Sequence, residues 1–493
     1  MKITRQILLI LGALGCSLLF CSGAETKSAA PPAGKPNIIH IVADDLGWKD
    51  VGFNGAADIK TPNLDKLAAT GAKFTQFYVQ PMCTPTRAAL MTGRYPYRYG
   101  LQTIVIPTAA AYGLDTAEWL MPQALKEAGY NTAIIGKWHL GHADRKYWPK
   151  QRGFDYQYGA MIGELDYFTH DEHGVLDWFR DNQPVKEEGY ATTLLGKDAA
   201  KYINAQNSTK PFYLYLTFNA PHTPYQAPQE YIDRYKDIPD PTRRTYAGMV
   251  ACLDDEIGRV IDALDKRGLR ENTIVLFHSD NGGTTNKMFT GQMADVSKIK
   301  LPCDNGLYRD GKGSLFEGGT RVCALANWPG HIKAETVDGV IHAVDIYPTL
   351  AALAGASTAK CKPLHGVNVW DVIAENKPSP RKEFIYNVEP FRAAIRQDDW
   401  KLIWRTLIPT SVDLYNLADD PTEKNNLAAA HPDKVVALQT RLEAAGKDSA
   451  KPLALEYIFQ TAMKATTPLL PTDEAFYTDA DTDSTPPKIG TEH

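Results

Sequence analysis

The stretch QPMCTPTRAALMTGRY, residues 80–95, sets a cysteine at the mouth of a short helix. Thr84 suits the N-cap, Pro85 the first helical position and Gly93 the helix end. Cys83 then stands just ahead of a helix N-terminus, where backbone N–H groups and the helix dipole favour negative charge. Arg87 lies four residues on, about one turn away, and can lean back towards the same spot. A sulfur, a positive helix end and an arginine fork make a candidate oxyanion site.

Four apolar runs end in polar residues that fit this reading. PNIIHIVADD (36–45) ends in Asp44 and Asp45, and NTAIIGKWHLG (131–141) carries Lys137 and His139. PFYLYLTFNAPH (211–222) runs out into His222, and NTIVLFHSDNGG (272–283) ends in Asp280 and Asn281. Taken singly, each residue has an ordinary explanation: Asp and Asn form turns, a lysine is solvated, a histidine is structural and a cysteine is buried. Taken together they share one chemical theme. Asp44, Asp45, Asp280 and Asn281 are hard oxygen donors suited to Ca²⁺ or Mg²⁺. Arg87, Lys137, His139 and His222 are cationic or proton-donating groups suited to an anionic substrate. A metal ringed by carboxylates beside a cluster of cations describes phosphoryl or sulfuryl transfer.

The elements that must bring these residues together are apolar runs alternating with helical patterns, as in an α/β domain with a mostly parallel sheet. In such sheets ligands bind beyond the carboxyl ends of the strands, so the four endings can converge on one crevice. Pro122 and Gly129 suit the start and end of the helix before the second run. A length of 493 residues predicts one large domain, 36–378, and a smaller C-terminal one, 379–493, after Pro378-Ser379-Pro380. In the latter, 383–388, 392–397 and 400–406 read as short antiparallel strands and 432–445 as a covering helix.

Composition narrows the function classes. A net charge of −5 with no basic run argues against a nucleic-acid partner. Residues 1–24, with Lys2 and Arg5 ahead of ILLILGALGCSLLF, read as an export signal too short for a membrane span, so the expected location is periplasmic or secreted. Lipid anchoring through Ala13-Leu14-Gly15-Cys16 is the weaker reading, because alanine stands where leucine is usual. Residues 25–35 form an Ala/Pro-rich spacer. Of seven cysteines, Cys252, Cys303, Cys323 and Cys361 are left to form disulfides in an oxidising compartment, in three possible pairings, and no C-x-x-C pair suggests zinc.

Cys83-Thr84-Pro85-Thr86-Arg87 fits C-x-P-x-R, and on it the chain resembles the type I sulfatases. The order D-D, C-x-P-x-R, GKWHLG (136–141), A-P-H, D-N-G and GKGSLFEGGTR (311–321) is also that family's order, and DLYNLADDPTEKNNL extends the likeness to about Leu427. FYVQPMCTPTR, GLQT and QRGFDYQYG look most similar to the arylsulfatase B type, the N-acetylgalactosamine 4-sulfatases.

The resemblance implies an alkaline-phosphatase-like α/β fold, with a central mostly parallel mixed sheet and a smaller C-terminal α+β domain carrying an antiparallel sheet. It implies that a formylglycine-generating enzyme oxidises Cys83 to formylglycine, whose hydrate is the nucleophile. One Ca²⁺ would be bound by Asp44, Asp45, Asp280 and Asn281 together with the modified Cys83. Arg87 would hold the hydrate, and Lys137, Lys312 and His222 the sulfate. His222 would protonate the leaving alcohol, and His139 would deprotonate the second hydroxyl to expel sulfate. A geminal diol keeps that second hydroxyl, so no water need attack sulfur.

The long stretch 284–310 departs from arylsulfatase B and should border the pocket, so that relative's substrate does not carry over. The aromatic, acidic GELDYFTHDEHG (163–174) and the export signal suggest a sulfated carbohydrate. Rival readings are a phosphate or phosphonate ester hydrolase of the same superfamily and a non-catalytic glycan-binding relative. The first loses ground because C-x-P-x-R adds the formylglycine signal, and the second because the nucleophile and metal ligands are all present. A tyrosine phosphatase would need arginine six residues after Cys83, where Ala89 stands.

Overall fold

The computed structural model describes residues 34–207, 209–289 and 300–463. The export signal, most of the spacer, Ser208 of the Asn207-Ser208-Thr209 sequon and the tail after 463 lie outside the described residues, as does 290–299 of the 284–310 stretch. The described residues from Gly34 onward belong to a single compact unit.

Seven strands build most of the main sheet: β1 (Asn37–Ala43), β2 (Ala72–Tyr78), β3 (Asn131–Gly136), β4 (Tyr156–Gly159), β5 (Phe212–Thr217), β6 (Thr273–Ser279) and β7 (Arg321–Asn327). They run β2-β7-β6-β1-β5-β3-β4 across an 11-stranded sheet whose remaining strands are short and lie at its edges. From β6 to β4 every pairing is parallel, while β7 runs antiparallel to both β6 and β2. The parallel core is the one the apolar runs predict. β2 and β7 were not anticipated, because AKFTQFY breaks its apolar pattern with three polar residues and RVCALAN follows directly on a glycine-rich motif.

The three central strands, β1, β5 and β6, are buried along their whole length, as helices on both faces require. Ile39, Ile41, Leu214, Leu216, Val275 and Phe277 pack into one core with Leu195 of helix α3 (Ala191–Asn204) and Leu253 of α4 (Pro241–Lys266). Alternation sends His40, Tyr215 and His278 to the opposite face, where His40 and His278 meet Nε2 to Nε2 at 2.8 Å. Two further helices pack together, α1 (Cys83–Thr92) and α5 (Ala343–Ala354), and α2 (Met121–Glu127) has Pro122 in its first turn as expected.

The second sheet is an antiparallel meander of β8 (Glu383–Val388), β9 (Arg392–Gln397), β10 (Trp400–Arg405) and β11 (Ser411–Asn416), with α6 (Pro432–Lys447) against it. Its first three strands and helix match expectation. β11 was hidden inside the late acidic motif. The anticipated disulfides do not form: Cys252, Cys303, Cys323 and Cys361 are all free. They sit on separate elements with other neighbours, Cys252 beside Thr193 Oγ1 and Cys361 beside Tyr347 Oη.

A buried charge cluster joins the two sheets. Lys401 of β10 donates to Glu317 Oε1 at 2.9 Å and stands 2.8 Å from Glu423 Oε1. Glu317 also accepts from Tyr78 of β2 (2.7 Å) and Tyr386 of β8 (2.8 Å). Burial favours the protonated form of Glu317, but Lys401, Arg321 and Arg396 outweigh it and hold the carboxyl at about 2. Burial raises Glu423 to about 7 despite Lys401. Removing one partner of a buried ion pair strands the others, so Lys401→Met should destabilise the fold by about 3–5 kcal/mol at pH 8. The deficit should narrow as pH falls and first Glu423, then Glu317, takes up a proton. Denaturant melts of both proteins at pH 8 and pH 5 check this; equal stabilities at pH 8 would contradict it.

Candidate active site

The C-terminal ends of four parallel strands deliver the residues singled out above to one place. β1 leads into Asp44 and Asp45, β3 into Lys137 and His139, β5 into His222, and β6 into Asp280 and Asn281. Asp44, Asp45, Arg87, Lys137, Asp280 and Asn281 are at most 2% exposed. Asp45 and His139 both adopt positive φ (60° and 56°), which turns the chain sharply out of the strand; Asp and His tolerate this better than most residues.

Cys83 is the first residue of α1, with Met82 in the extended N-cap position, so Thr84 is not the cap. The Thr84 hydroxyl is occupied otherwise: it donates to the His139 carbonyl (3.0 Å) and accepts from Ile106 N (3.1 Å). Cys83 therefore lies inside the helix mouth and donates from Sγ to Asp44 Oδ1 at 3.3 Å. Burial first, then the Asp280 and Asp44 carboxylates, push its thiol well above the usual range. A free cysteine held this way is a poor thiolate nucleophile.

Arg87 reaches back along α1 as its spacing predicts. It donates to Asp280 Oδ2 from Nε (3.1 Å) and Nη2 (2.8 Å), to Asp44 Oδ2 (3.3 Å), and to the Lys137 carbonyl (3.0 Å). Lys137 Nζ meets Asp44 Oδ2 at 2.5 Å, and Lys312 Nζ meets Asp45 Oδ2 at 2.8 Å. Burial alone would raise both aspartates; the nearby cations, Lys137 foremost for Asp44 and Lys312 for Asp45, lower both instead, Asp44 well below the usual carboxylate range. Asp280 is the exception, raised to about 6 by burial and by Asp44.

Lys312, placed by sequence through a local motif alone, is in the site. Its segment packs hard against the end of β6: Lys312 N donates to Gly283 O, and a Cβ on Gly282 would lie 1.7 Å from Gly318 O. Lys312 Nζ also stands 3.0 Å from His222 Nε2. The other His222 nitrogen, Nδ1, is 2.6 Å from the Thr223 carbonyl, so it carries the proton and leaves Nε2 as acceptor. Burial and Lys312 lower His222 to about 4. His139 has Nε2 3.2 Å from the Ile106 carbonyl, and its buried Nδ1 has no partner among the described residues. Its ring rests on the Gly163 backbone, where a Cβ would come within 2.4 Å. Burial, with Lys137 and Arg87, keeps it neutral.

A hard cation fits the remaining donors. Asn281 donates from Nδ2 to Asp45 Oδ1 (2.7 Å), while its Oδ1 is buried without a partner among the described residues. Such an orphan acceptor beside three carboxylates is what an oxygen-coordinated metal would satisfy. Asp44, Asp45, Cys83 and His222 also present ligand atoms within 4.8 Å of one another, but His222 Nε2 already faces Lys312. The oxygen set of Asp44, Asp45, Asp280 and Asn281 is the better match for a hard ion. Sequence reasoning missed Thr284, which donates to Asp45 Oδ2 at 3.0 Å; its position directly after D-N-G-G was the available signal.

Of the groups described, Cys83, His139, His222 and Lys312 line a cavity of 170 Å³, together with Ile106 and Phe289. A larger cleft of 680 Å³ between α3 and α4 holds none of them. Its size alone does not make it the site.

Comparison with known proteins agrees with this geometry. The profile of the family described as Sulfatase matches residues 36–356, and that of N-sulphoglucosamine sulphohydrolase, C-terminal, matches 306–448. The chain is similar to arylsulfatase J of Mus musculus, 36% identical over 402 residues, 79% of this chain and 65% of that protein. It thus spans a little under two thirds of that relative's length. It is 34% identical to N-acetylgalactosamine-6-sulfatase of Mus musculus over 404 residues, 78% of this chain and 72% of that protein. Among solved structures, Ps i-CgsB in complex with k-i-k-neocarrahexaose superposes with a TM-score of 0.78 at 34% identity, covering 90% of this chain and all of that one. These relatives support the family as a whole rather than the arylsulfatase B type in particular.

The orphan amide oxygen yields a direct expectation. Asn281→Ala removes a neutral donor without altering the charge balance and should weaken binding of a hard divalent cation about tenfold or more. Calorimetric titration of the metal-free protein with Ca²⁺ checks this. Unaltered affinity would remove Asn281 from the ligand set.

Proposed function

As the chain belongs to the sulfatase family, we propose that it hydrolyses sulfate esters of a sulfated saccharide, using a formylglycine made from Cys83 and one calcium ion. The observation that carries this reading is the placement of Cys83 at the mouth of α1, 3.3 Å from Asp44, in a cavity it shares with His139, His222 and Lys312.

Formylglycine at position 83 would supply a hydroxyl nucleophile in place of the thiol, whose raised pKa suits it poorly to attack. Calcium held by Asp44, Asp45, Asp280 and Asn281 would supply a Lewis acid for the sulfate oxygens and the nucleophile. The chain's own residues do the rest. Arg87 braces Asp44 and Asp280 and fixes the helix mouth. Lys137 and Lys312, now on carboxylates, turn their charge to the sulfate. His139, neutral and with Nε2–H committed to Ile106, offers the Nδ1 lone pair as a base. His222 Nε2 is the atom that must hold a proton for the leaving alcohol, and Lys312 Nζ, 3.0 Å away, fixes the orientation of the ring.

A saccharide substrate is supported by the names of the relatives and by Gly163, Glu164 and Glu172 of the acidic stretch, which line the cavity. The same proposal includes export through residues 1–24 and maturation by a formylglycine-generating enzyme. Every residue of α1 is buried, so that enzyme would read the C-x-P-x-R segment before the chain folds. Among the described residues, no helix is long and apolar enough to cross a membrane.

Two measurements test the mechanism. Mass spectrometry of the Cys83 peptide, from protein made with a formylglycine-generating enzyme, should show the aldehyde, and sulfate release should rise with the converted fraction. Full activity with unmodified Cys83, or turnover of a phosphate ester far above the matching sulfate, would overturn the reading. His222→Ala should lose about 10²–10⁴ in rate on a sulfated sugar, whose alcohol needs protonation, and far less on 4-nitrophenyl sulfate, whose phenol leaves unaided. Equal losses on both would take the acid role from His222.

A further inference from the structure

A second cavity, of 510 Å³, adjoins the catalytic one and shares Met82, Met288, Phe289 and Lys312 with it. Its far wall is built by the second sheet. Phe391, in the turn between β8 and β9, lines it with Arg392, Arg405 and Leu407. Phe391 is 52% exposed, Leu407 58% and Met288 74%. Large apolar side chains gathered in the open around one groove mark a binding surface rather than a folding requirement.

The arginines of the groove are held in place, and Glu389 and Asp310 also belong to its lining. Arg392 forks onto Glu389 (2.9 Å from both Nε and Nη2), and Arg405 bonds Asp413 across the sheet at 2.5 Å. A guanidinium has five N–H donors, so each keeps others for a ligand. An aromatic face flanked by fixed guanidinium groups suits a sugar ring that carries an anionic group: the ring's C–H face lies on Phe391 and the anion meets the arginines.

Size points the same way. At 170 Å³ the catalytic cavity is smaller than the roughly 300–1,000 Å³ of ordinary ligand pockets, and the adjoining groove brings the pair into that range. The solved structure of Ps i-CgsB, which covers 90% of this chain, holds a hexasaccharide.

We infer that this groove is a second sugar subsite and that the substrate is an oligosaccharide or longer chain. The sulfated ring occupies the catalytic cavity, and the neighbouring anionic ring lies on Phe391 between Arg392 and Arg405. This rests on the sulfatase reading above.

The test compares matched probes by calorimetry on the full chain: galactose 4-sulfate against k-i-k-neocarrahexaose, and N-acetylgalactosamine 4-sulfate against a chondroitin 4-sulfate hexasaccharide. In at least one pair the hexasaccharide should bind about tenfold or more tightly than the monosaccharide. Phe391→Ala, at an exposed position, and Arg405→Gln, at a half-buried one, should each cut that advantage to about threefold or less, and Phe391→Tyr should retain it. Equal affinities within both pairs, or an advantage that survives both substitutions, would overturn the subsite. Chain-length preference without sulfate release from any probe, once Cys83 is converted, would instead defeat the sulfatase reading and leave the subsite standing.

Discussion

The site depends on one constraint: three carboxylates are buried within a few ångströms of one another and must be neutralised. Asp44 and Asp45 leave β1, and Asp280 leaves its parallel neighbour β6, so sheet pairing itself forces them together. Left alone, such a group would take up protons rather than stay charged. Arg87, Lys137 and Lys312 supply the compensating charge, and Arg87 does so from inside α1. The helix that carries Cys83 is thereby pinned to the strand ends by the same ion pairs that keep the acids ionised. Burial is costly for every one of these charges, and only the mutual geometry offsets it.

That constraint explains why distant segments are tied so firmly to the site. Lys312 reaches Asp45 because its segment lies flat against Gly282 and Gly283, where no side chain would fit. The same segment ends at Glu317, which the second sheet grips through Lys401 and Tyr386. The second sheet thus fixes the Lys312 segment from behind while presenting Phe391 and Arg405 to the adjoining groove. A substrate bridging the two cavities would touch both sheets, which gives the joint between them a functional as well as a structural role.

Much of this was legible in the residues. The apolar runs of β1, β3, β5 and β6 are continuous because those strands are covered on both faces, and their polar endings fall where parallel strands present ligands. Cys83 and Arg87 were readable through helical spacing. What sequence hid follows from tertiary effects. Thr84 has the composition of a cap, yet its hydroxyl serves His139 and Ile106, and the helix starts earlier. β2 and β11 are only partly covered, so their apolar signal is diluted. Four cysteines suggested disulfides, but spacing says nothing of which elements carry them, and the fold keeps them free. The neutral state of His222 and the orphan oxygen of Asn281 arise only when burial and neighbours are known.

The central claim is that the strand ends build an oxygen-lined calcium site facing a modified Cys83. Diffraction from crystals of protein matured with a formylglycine-generating enzyme and grown with calcium, using anomalous scattering to locate the ion, tests it most directly. The account predicts one peak within about 2.3–2.6 Å of oxygens from Asp44, Asp45, Asp280 and Asn281, with residue 83 lacking sulfur. A peak coordinated by Cys83 sulfur and His222, or none at the strand ends, would contradict it.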